Sequence, residues 1–348
     1  MARVGINPAR GKLSDYCPAR VTVTMITYIP DLSGYFEQRL EVLKLVFASL
    51  HAHTSLAHDL LVFDNGSCSQ VVEYLQGLKE AGQIDYLLLS RQNIGKIGAL
   101  RILFSAAPGE IIAYSDDDIF FYPGWLEAQL ELLDAFPQAG MVSGLAVRNA
   151  ANHAHQSLDR LAAAAEAGEF PGLTAQRVRR IPDEWEADWA VSTGREPQAH
   201  LQDTREQLDI VFRLESKNNQ PPVEAIGSAN HFQFIGYKAI LLQALPSEWS
   251  GKLMGHMVEL DEAVDQLGCL RLSTAQRYTR HLGNALSQQV LDEAQALGLQ
   301  IQDLQAAPAG TQPPFLSAKR KKHWLLRIPG SRRVLSHLYK RLFDILFR

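Results

Sequence analysis

The feature that most constrains this chain is a regular exchange of two periodicities between Val21 and Val147. Short stretches that alternate or run apolar are each followed by a segment whose apolar residues recur every three or four positions. The pattern predicts strands at residues 21–28, 59–64, 85–90, 110–115 and 140–147. In the first, Val21, Val23 and Met25 share one face. Helical spacing links Phe36, Leu40, Leu43, Phe47 and Leu50, and recurs over 71–82 and 96–106. Pro123 opens a further helix, since proline is tolerated in a first turn. Asn65-Gly66-Ser67 and Pro108-Gly109 are turn signals. Strand and helix in strict alternation imply an α/β fold, with a mostly parallel sheet flanked by helices on both faces.

Sheets of this kind bind ligands beyond the carboxyl ends of their strands. That rule selects Thr27 and Tyr28, Asp64 and Asn65, Ser90 to Asn93, and the run Asp116-Asp117-Asp118. Adjacent carboxylates repel and raise one another's pKa unless a cation lies between them. Hard oxygen donors suit Mg2+ or Mn2+, which bind through one or two carboxylates and substrate phosphates. The competing reading is an acidic turn ahead of the Pro123 helix; the position at a strand end favours the cation. If the strand continued through the run, Asp116 and Asp118 would point to one side and Asp117 to the other.

Other site types are missing. The chain has no P-loop ("NIGKIGA" does not match), no G-x-G-x-x-G and no G-x-S-x-G. His51/His53 and His153/His155 are H-x-H pairs without a third ligand, and read as surface histidines. Three scattered cysteines make neither a disulfide framework nor a zinc pattern. Hydrophobic residues make up 46% and charged residues 21%, a globular composition. The N-terminal stretch lacks an apolar signal region, and no run of eighteen apolar residues occurs. A cytoplasmic location is expected.

Beyond Val147 the chain is less regular. Residues 161–167 predict an alanine-rich helix, and 181–195 a substrate-side insertion or lid. A strand running into a helix is expected over 229–245, a glycine-capped helix over 256–268, a strand over 269–274 and a polar helix over 286–304. Residues 306–314 have linker composition. The expected layout is an extension (1–20), a catalytic domain (21–304, divided at 147/148), a linker (305–318) and a tail (319–348).

The order strand, "VFDNGS", "NIGKIGAL", "AYSDDDIFFYPGWL" resembles the family 2 nucleotide-sugar glycosyltransferases of the A-type fold. The resemblance covers about 21–147 and resumes more weakly over 229–284. It implies that Asp64 reads the nucleotide base, that Thr27 and Tyr28 contact the nucleoside, and that Asn93, Gly95 and Lys96 lie beside the donor. It makes Asp116 to Asp118 the D-x-D, with Asp118 favoured on the metal and Asp116 and Asp117 near the ribose or metal. His281, in "RHLGN", would bring a C-terminal imidazole to the metal. Mn2+ or Mg2+ is the implied cofactor. An inverting transferase also needs a base for the acceptor hydroxyl. Family members often carry adjacent Glu-Asp at a late helix start; this chain has "VELDEAVDQLG", leaving Asp261, Glu259 and Glu262, with Asp261 favoured. Trp125 and His231 are candidates to shape the acceptor pocket.

The tail stands apart. Residues 319–348 hold ten Lys/Arg against one acidic residue, so this segment carries +9 within a total of −4. Over 331–348, basic and apolar residues fall on opposite helical faces, the pattern of a helix lying on an anionic membrane surface. The expected protein is a metal-dependent inverting transferase at the inner face of the cell membrane. Its partners would be a nucleotide sugar and a glycan or lipid-linked acceptor, with no nucleic acid. A nucleotidyltransferase lacking its usual glycine-rich loop, and a non-catalytic nucleotide-sugar-binding protein, are the alternatives.

Overall fold

The computed structural model describes residues 7, 9–136, 138–148, 152–215, 221–246, 257–301 and 303–307. The tail therefore lies outside the described residues, as do His256 and most of the linker.

The N-terminal half is the expected alternation. Strands β1 (Val21–Thr27), β2 (His58–Asp64), β3 (Tyr86–Leu89) and β4 (Ile111–Asp116) are joined by helices α1 (Arg39–His53), α2 (Ser69–Glu80) and α3 (Lys96–Ala106). They pair in parallel, in the order β3-β2-β1-β4. All seven residues of β1 are buried. Val23, Met25, Val62 and Ala113 pack into one core with α1 and α2. Ile26, Leu61, Phe63, Ile112 and Tyr114 pack into a second with α3. Burial on both faces explains why these strands read as nearly unbroken apolar runs.

A short strand β5 (Ile119–Phe121), helix α4 (Trp125–Ala135) and strand β6 (Ala139–Ser143) follow. Next come α5 (Gln156–Glu166), β7 (Leu173–Val178), α6 (Asp183–Ser192), α7 (Pro197–Thr204), β8 (Asp209–Leu214) and β9 (Val223–Ile226). The described chain ends with β10 (Gln233–Tyr237), α8 (Lys238–Ala244), α9 (Met257–Gln266), β11 (Leu270–Thr274), β12 (Thr279–His281) and α10 (Gln288–Ala296).

The ten-stranded sheet continues β4-β10-β6-β11-β9-β8-β7. Strand β6 pairs with β11 in parallel, but β10 runs antiparallel between β4 and β6, and β9, β8 and β7 form an antiparallel edge. The region around 181–195 is helix α6. The helix expected over 286–304 is shorter, because Gly298 takes φ 82° just beyond it and turns the chain.

The direction of β10 matters for the site. Its register sets Gln233 opposite Ser115, so the residues preceding β10 emerge at the rim where β4 ends. A separate two-stranded sheet pairs β5 with β12 and places His281 opposite Ile119, one residue beyond Asp118.

Candidate active site

The carboxyl ends of β1, β2 and β4 form one rim, and two loops there are stitched together. Asp64, buried at the end of β2, accepts the backbone N–H groups of Gly66 and Ser67 at 3.2 Å. Burial raises its pKa, although these hydrogen bonds oppose the shift. Asn65 donates to Asn93 Oδ1 at 3.1 Å and accepts from Ile94 N at 2.9 Å. Gly66 takes φ 90°, and a Cβ there would lie 2.7 Å from the Gln92 carbonyl carbon. Only glycine allows the two loops to approach this closely. Asn93 Oδ1 also accepts from Gly95 N at 2.8 Å, so Asn93 braces the loop that leads into Lys96. Tyr28 sits half-buried just past β1.

The three aspartates do not alternate. Strand β4 ends at Asp116, and Asp117 and Asp118 form a turn. Asp117 Oδ2 accepts the Thr27 hydroxyl at 2.5 Å. Arg39, the first residue of α1 and only 5% exposed, donates to Asp117 Oδ1, to Asp118 Oδ2 at 3.1 Å and to the Gly283 carbonyl at 2.8 Å. Lys96, the first residue of α3, contacts both oxygens of Asp116 at 2.7 Å. The Tyr114 hydroxyl donates to Asp116 as well. Two fixed cations thus hold three carboxylates, and the sequence reading had identified neither of them as the counter-charge.

Burial raises the pKa of Asp117 even against Arg39. Burial also pushes Asp118 upward, but the charges of His281 when protonated, Arg39 and Lys96 outweigh it and hold Asp118 below the usual range. Asp118 Oδ1 is buried without a hydrogen-bond partner. His281 Nε2 lies 3.6 Å from Asp118 Oδ2. The Ser192 hydroxyl donates to the Trp189 carbonyl, leaving its oxygen to accept from His281 Nδ1 at 2.9 Å. In the neutral ring, Nε2 is then an acceptor facing a carboxylate, with no proton between them. Gly283 lets α6 come this close, because a Cβ there would lie 2.5 Å from the Ser192 carbonyl oxygen. No group of three or more His, Cys, Asp or Glu arranged for a metal occurs among the described residues. Asp118 and His281 nevertheless offer a carboxylate oxygen and an imidazole nitrogen, donor types that would suit a divalent cation.

A second carboxylate cluster lies in the other half. Asp261, on α9, is fully buried. Its Oδ2 meets His153 Nε2 at 2.7 Å, His231 Nδ1 at 3.1 Å and the Arg271 guanidinium at 3.1 Å, while Oδ1 has no hydrogen-bond partner. Burial opposes ionisation, but the bonds from His153 and His231 and the charge of Arg271 bring the pKa down to about 2. Asp265, one turn on, caps α5 by accepting from Gln156 N and Ser157 N. This fixes the loop that carries His153. Glu259 and Glu262 are exposed on other faces of α9. The structure therefore separates Asp261 from the two glutamates.

Two expectations need correction. Trp125 is 1% exposed and packs against Phe121, with ring centroids 4.6 Å apart, so it belongs to the core and not to an acceptor pocket. His53 is buried, with Nδ1 on the Phe121 carbonyl at 2.6 Å, and is not a surface histidine.

The two clusters share the rim. Asp116 N donates to the Phe232 carbonyl at 2.8 Å, and the Phe232 ring lies 5.1 Å from the His281 ring. His231 is the residue before Phe232.

Residues 35–180 match the family model for glycosyl transferase family 2. No curated protein matches the chain. Similar solved structures include the mannosyltransferase PcManGT from Pyrobaculum calidifontis in complex with GDP-Man and Mn2+. It is 22% identical, with 38% of this chain and 39% of that chain covered and a TM-score of 0.30. TarS 1-349 from S. aureus in complex with UDP-GlcNAc is 14% identical, covering 36% and 34%, with a TM-score of 0.29. TarS 1-349 in another crystal structure is 10% identical, covering 75% and 60%, with a TM-score of 0.41. The chain thus spans about two fifths or less of the length of the first two, and under two thirds of the third. The stretch that matches the family 2 model takes in Asp64, Asn93, Lys96 and all three aspartates.

Proposed function

We propose that this protein is a metal-dependent, inverting glycosyltransferase that moves a sugar from a nucleoside diphosphate to an acceptor hydroxyl. The observation that carries the reading is the unpartnered Oδ1 of Asp118, on a carboxylate whose Oδ2 lies 3.6 Å from His281 Nε2, at the rim where β1, β2 and β4 end. Three carboxylates against Arg39 and Lys96 leave a net negative charge there, which suits a cation that in turn holds a diphosphate. A bound divalent ion supplies charge stabilisation for the departing diphosphate. The chain's own residues do the rest. Asp118 and His281 would hold the ion, Arg39 keeps Asp117 and Asp118 in place, and Asp64 holds the Gly66–Ser67 turn that lies beside the base. Thr27, Tyr28, Asn93, Lys96 and Asp116 surround the donor. Asp261 and Glu259 supply carboxylates to the acceptor half.

The acceptor we propose is a glycan or lipid-linked sugar at the inner membrane surface. The basic, amphipathic composition of 319–348 supports that location. Among the described residues, no helix is long and apolar enough to cross a membrane. Liposome flotation tests the tail: a chain ending at Ala318 should stay with the soluble fraction while the full chain floats on anionic vesicles. The transfer reading is tested by thermal shift and turnover with UDP- and GDP-sugars, with and without Mn2+. A cation-dependent rise in melting temperature is expected, because a ligand that binds only the native state stabilises it. No shift with any donor would sink it.

A further inference from the structure

Asp261 is the favoured base in the sequence, yet its surroundings oppose that role. It is fully buried, so an acceptor hydroxyl cannot touch it. It is also held strongly acidic, whereas an effective base has a pKa near the working pH. The group it holds is better placed. His231 directs Nδ1 at Asp261 Oδ2, and its side chain is 36% exposed. It precedes Phe232, whose carbonyl binds the Asp116 amide and whose ring contacts His281. His231 therefore stands at the rim where β4 ends, two residues before β10, the strand inserted between β4 and β6.

We propose that His231 is the proton acceptor of the transfer and that Asp261 is its positioning residue. The inference rests on the proposed transfer and names the base within it. Asp261 accepts Nδ1–H, which fixes the tautomer and leaves Nε2, on the far side of the ring, as a lone-pair acceptor. As the acceptor oxygen bonds to the anomeric carbon, its proton passes to His231 Nε2. The anomeric carbon–oxygen bond to the diphosphate breaks, and its electron pair leaves with the nucleoside diphosphate. The imidazolium, stabilised by Asp261, then returns the proton to solvent. The charged groups around this pair are Asp261 from α9, His153 from the loop before α5 and Arg271 from β11. His153 is 21% exposed, binds the same oxygen through Nε2, and is tied down through its own carbonyl by Arg271 at 3.1 Å. It steadies the Asp261 carboxylate that holds His231.

The test uses the full chain with Mn2+ and a panel of UDP- and GDP-sugars. It reads donor affinity by calorimetry and nucleoside diphosphate release across pH, with water as the minimal acceptor. H231Q should lose about 100-fold in kcat, the usual scale of general-base catalysis, with donor affinity within twofold of wild type. The wild-type rate should fall toward acid pH along a single-proton limb that H231Q lacks. D261N should lower kcat and move this limb to lower pH, since the carboxylate that favours the imidazolium is gone. A merely structural role for Asp261 would not move the limb. Unchanged release by H231Q, or a limb that E259Q abolishes and H231Q retains, would overturn the proposal while leaving the transfer reading intact. Absence of donor binding in the wild type would remove both.

Discussion

The two carboxylate clusters at the rim are neutralised in opposite ways. Asp116, Asp117 and Asp118 face Lys96 and Arg39, whose charges are fixed across the physiological range. Asp261 faces one arginine and two imidazoles. On the transfer reading proposed above, the first cluster is the side that holds a fixed charge and the second the side that exchanges a proton. A transferase needs both, since a diphosphate must be held while a hydroxyl is deprotonated.

The largest expected break in this comparison is Arg39→Met. It strands Asp117 and Asp118 as buried, uncompensated carboxylates, a class of change that costs about 3–5 kcal/mol. Urea unfolding should show the loss, and adding Asp117→Asn should recover part of it. A wild-type midpoint in the single variant would show that the arginine is not the counter-charge. Next is Asp118→Ala, which should reduce Mn2+-dependent turnover about 100- to 1000-fold, the scale seen when one stabiliser of transition-state charge is removed. Donor-independent stability should change far less. Retained turnover would shift the metal to another aspartate.

The acceptor-side cluster predicts a pH effect. The pKa of Asp261 falls from 3.8 to about 2 on folding, so its stabilising contribution is full above 3.8 and is lost as pH falls through 2. About 2 kcal/mol should vanish over that interval, at roughly 1.4 kcal/mol per unit. Denaturation at pH 5, 4 and 3 should give Asp261→Asn a shallower decline than wild type; parallel slopes would contradict the assignment. The smallest effect is reserved for an exposed counterpart. Arg20 bridges Glu110 and Asp134 on the surface, and Asp134→Ala should cost less than about 1 kcal/mol, and still less in high salt.

Much of the donor half was legible because buried parallel strands leave unbroken apolar runs and end in polar residues. Helix α3 begins at Lys96, where the spacing placed it. What escaped was tertiary. Arg39 and Gly283 are 244 positions apart and meet only when the sheet is complete. The turn at Asp117 and Asp118 broke an alternation that a strand would have kept. The antiparallel edge was invisible because β7 is largely exposed and carries little apolar signal. The role of His231 was hidden because nothing in "ANHFQF" shows which carboxylate its ring will meet.

The insertion of β10 between β4 and β6 has a consequence for how the chain can be divided. A boundary at 147/148 looks natural along the sequence, but β4 obtains its second neighbour only from Gln233–Tyr237. Until those residues leave the ribosome, the nascent N-terminal half has an apolar strand with an open edge, a template for pairing with other chains. The halves are therefore not interchangeable modules. A shorter product, or a chimera cut at the apparent boundary, inherits a sticky edge instead of a complete sheet.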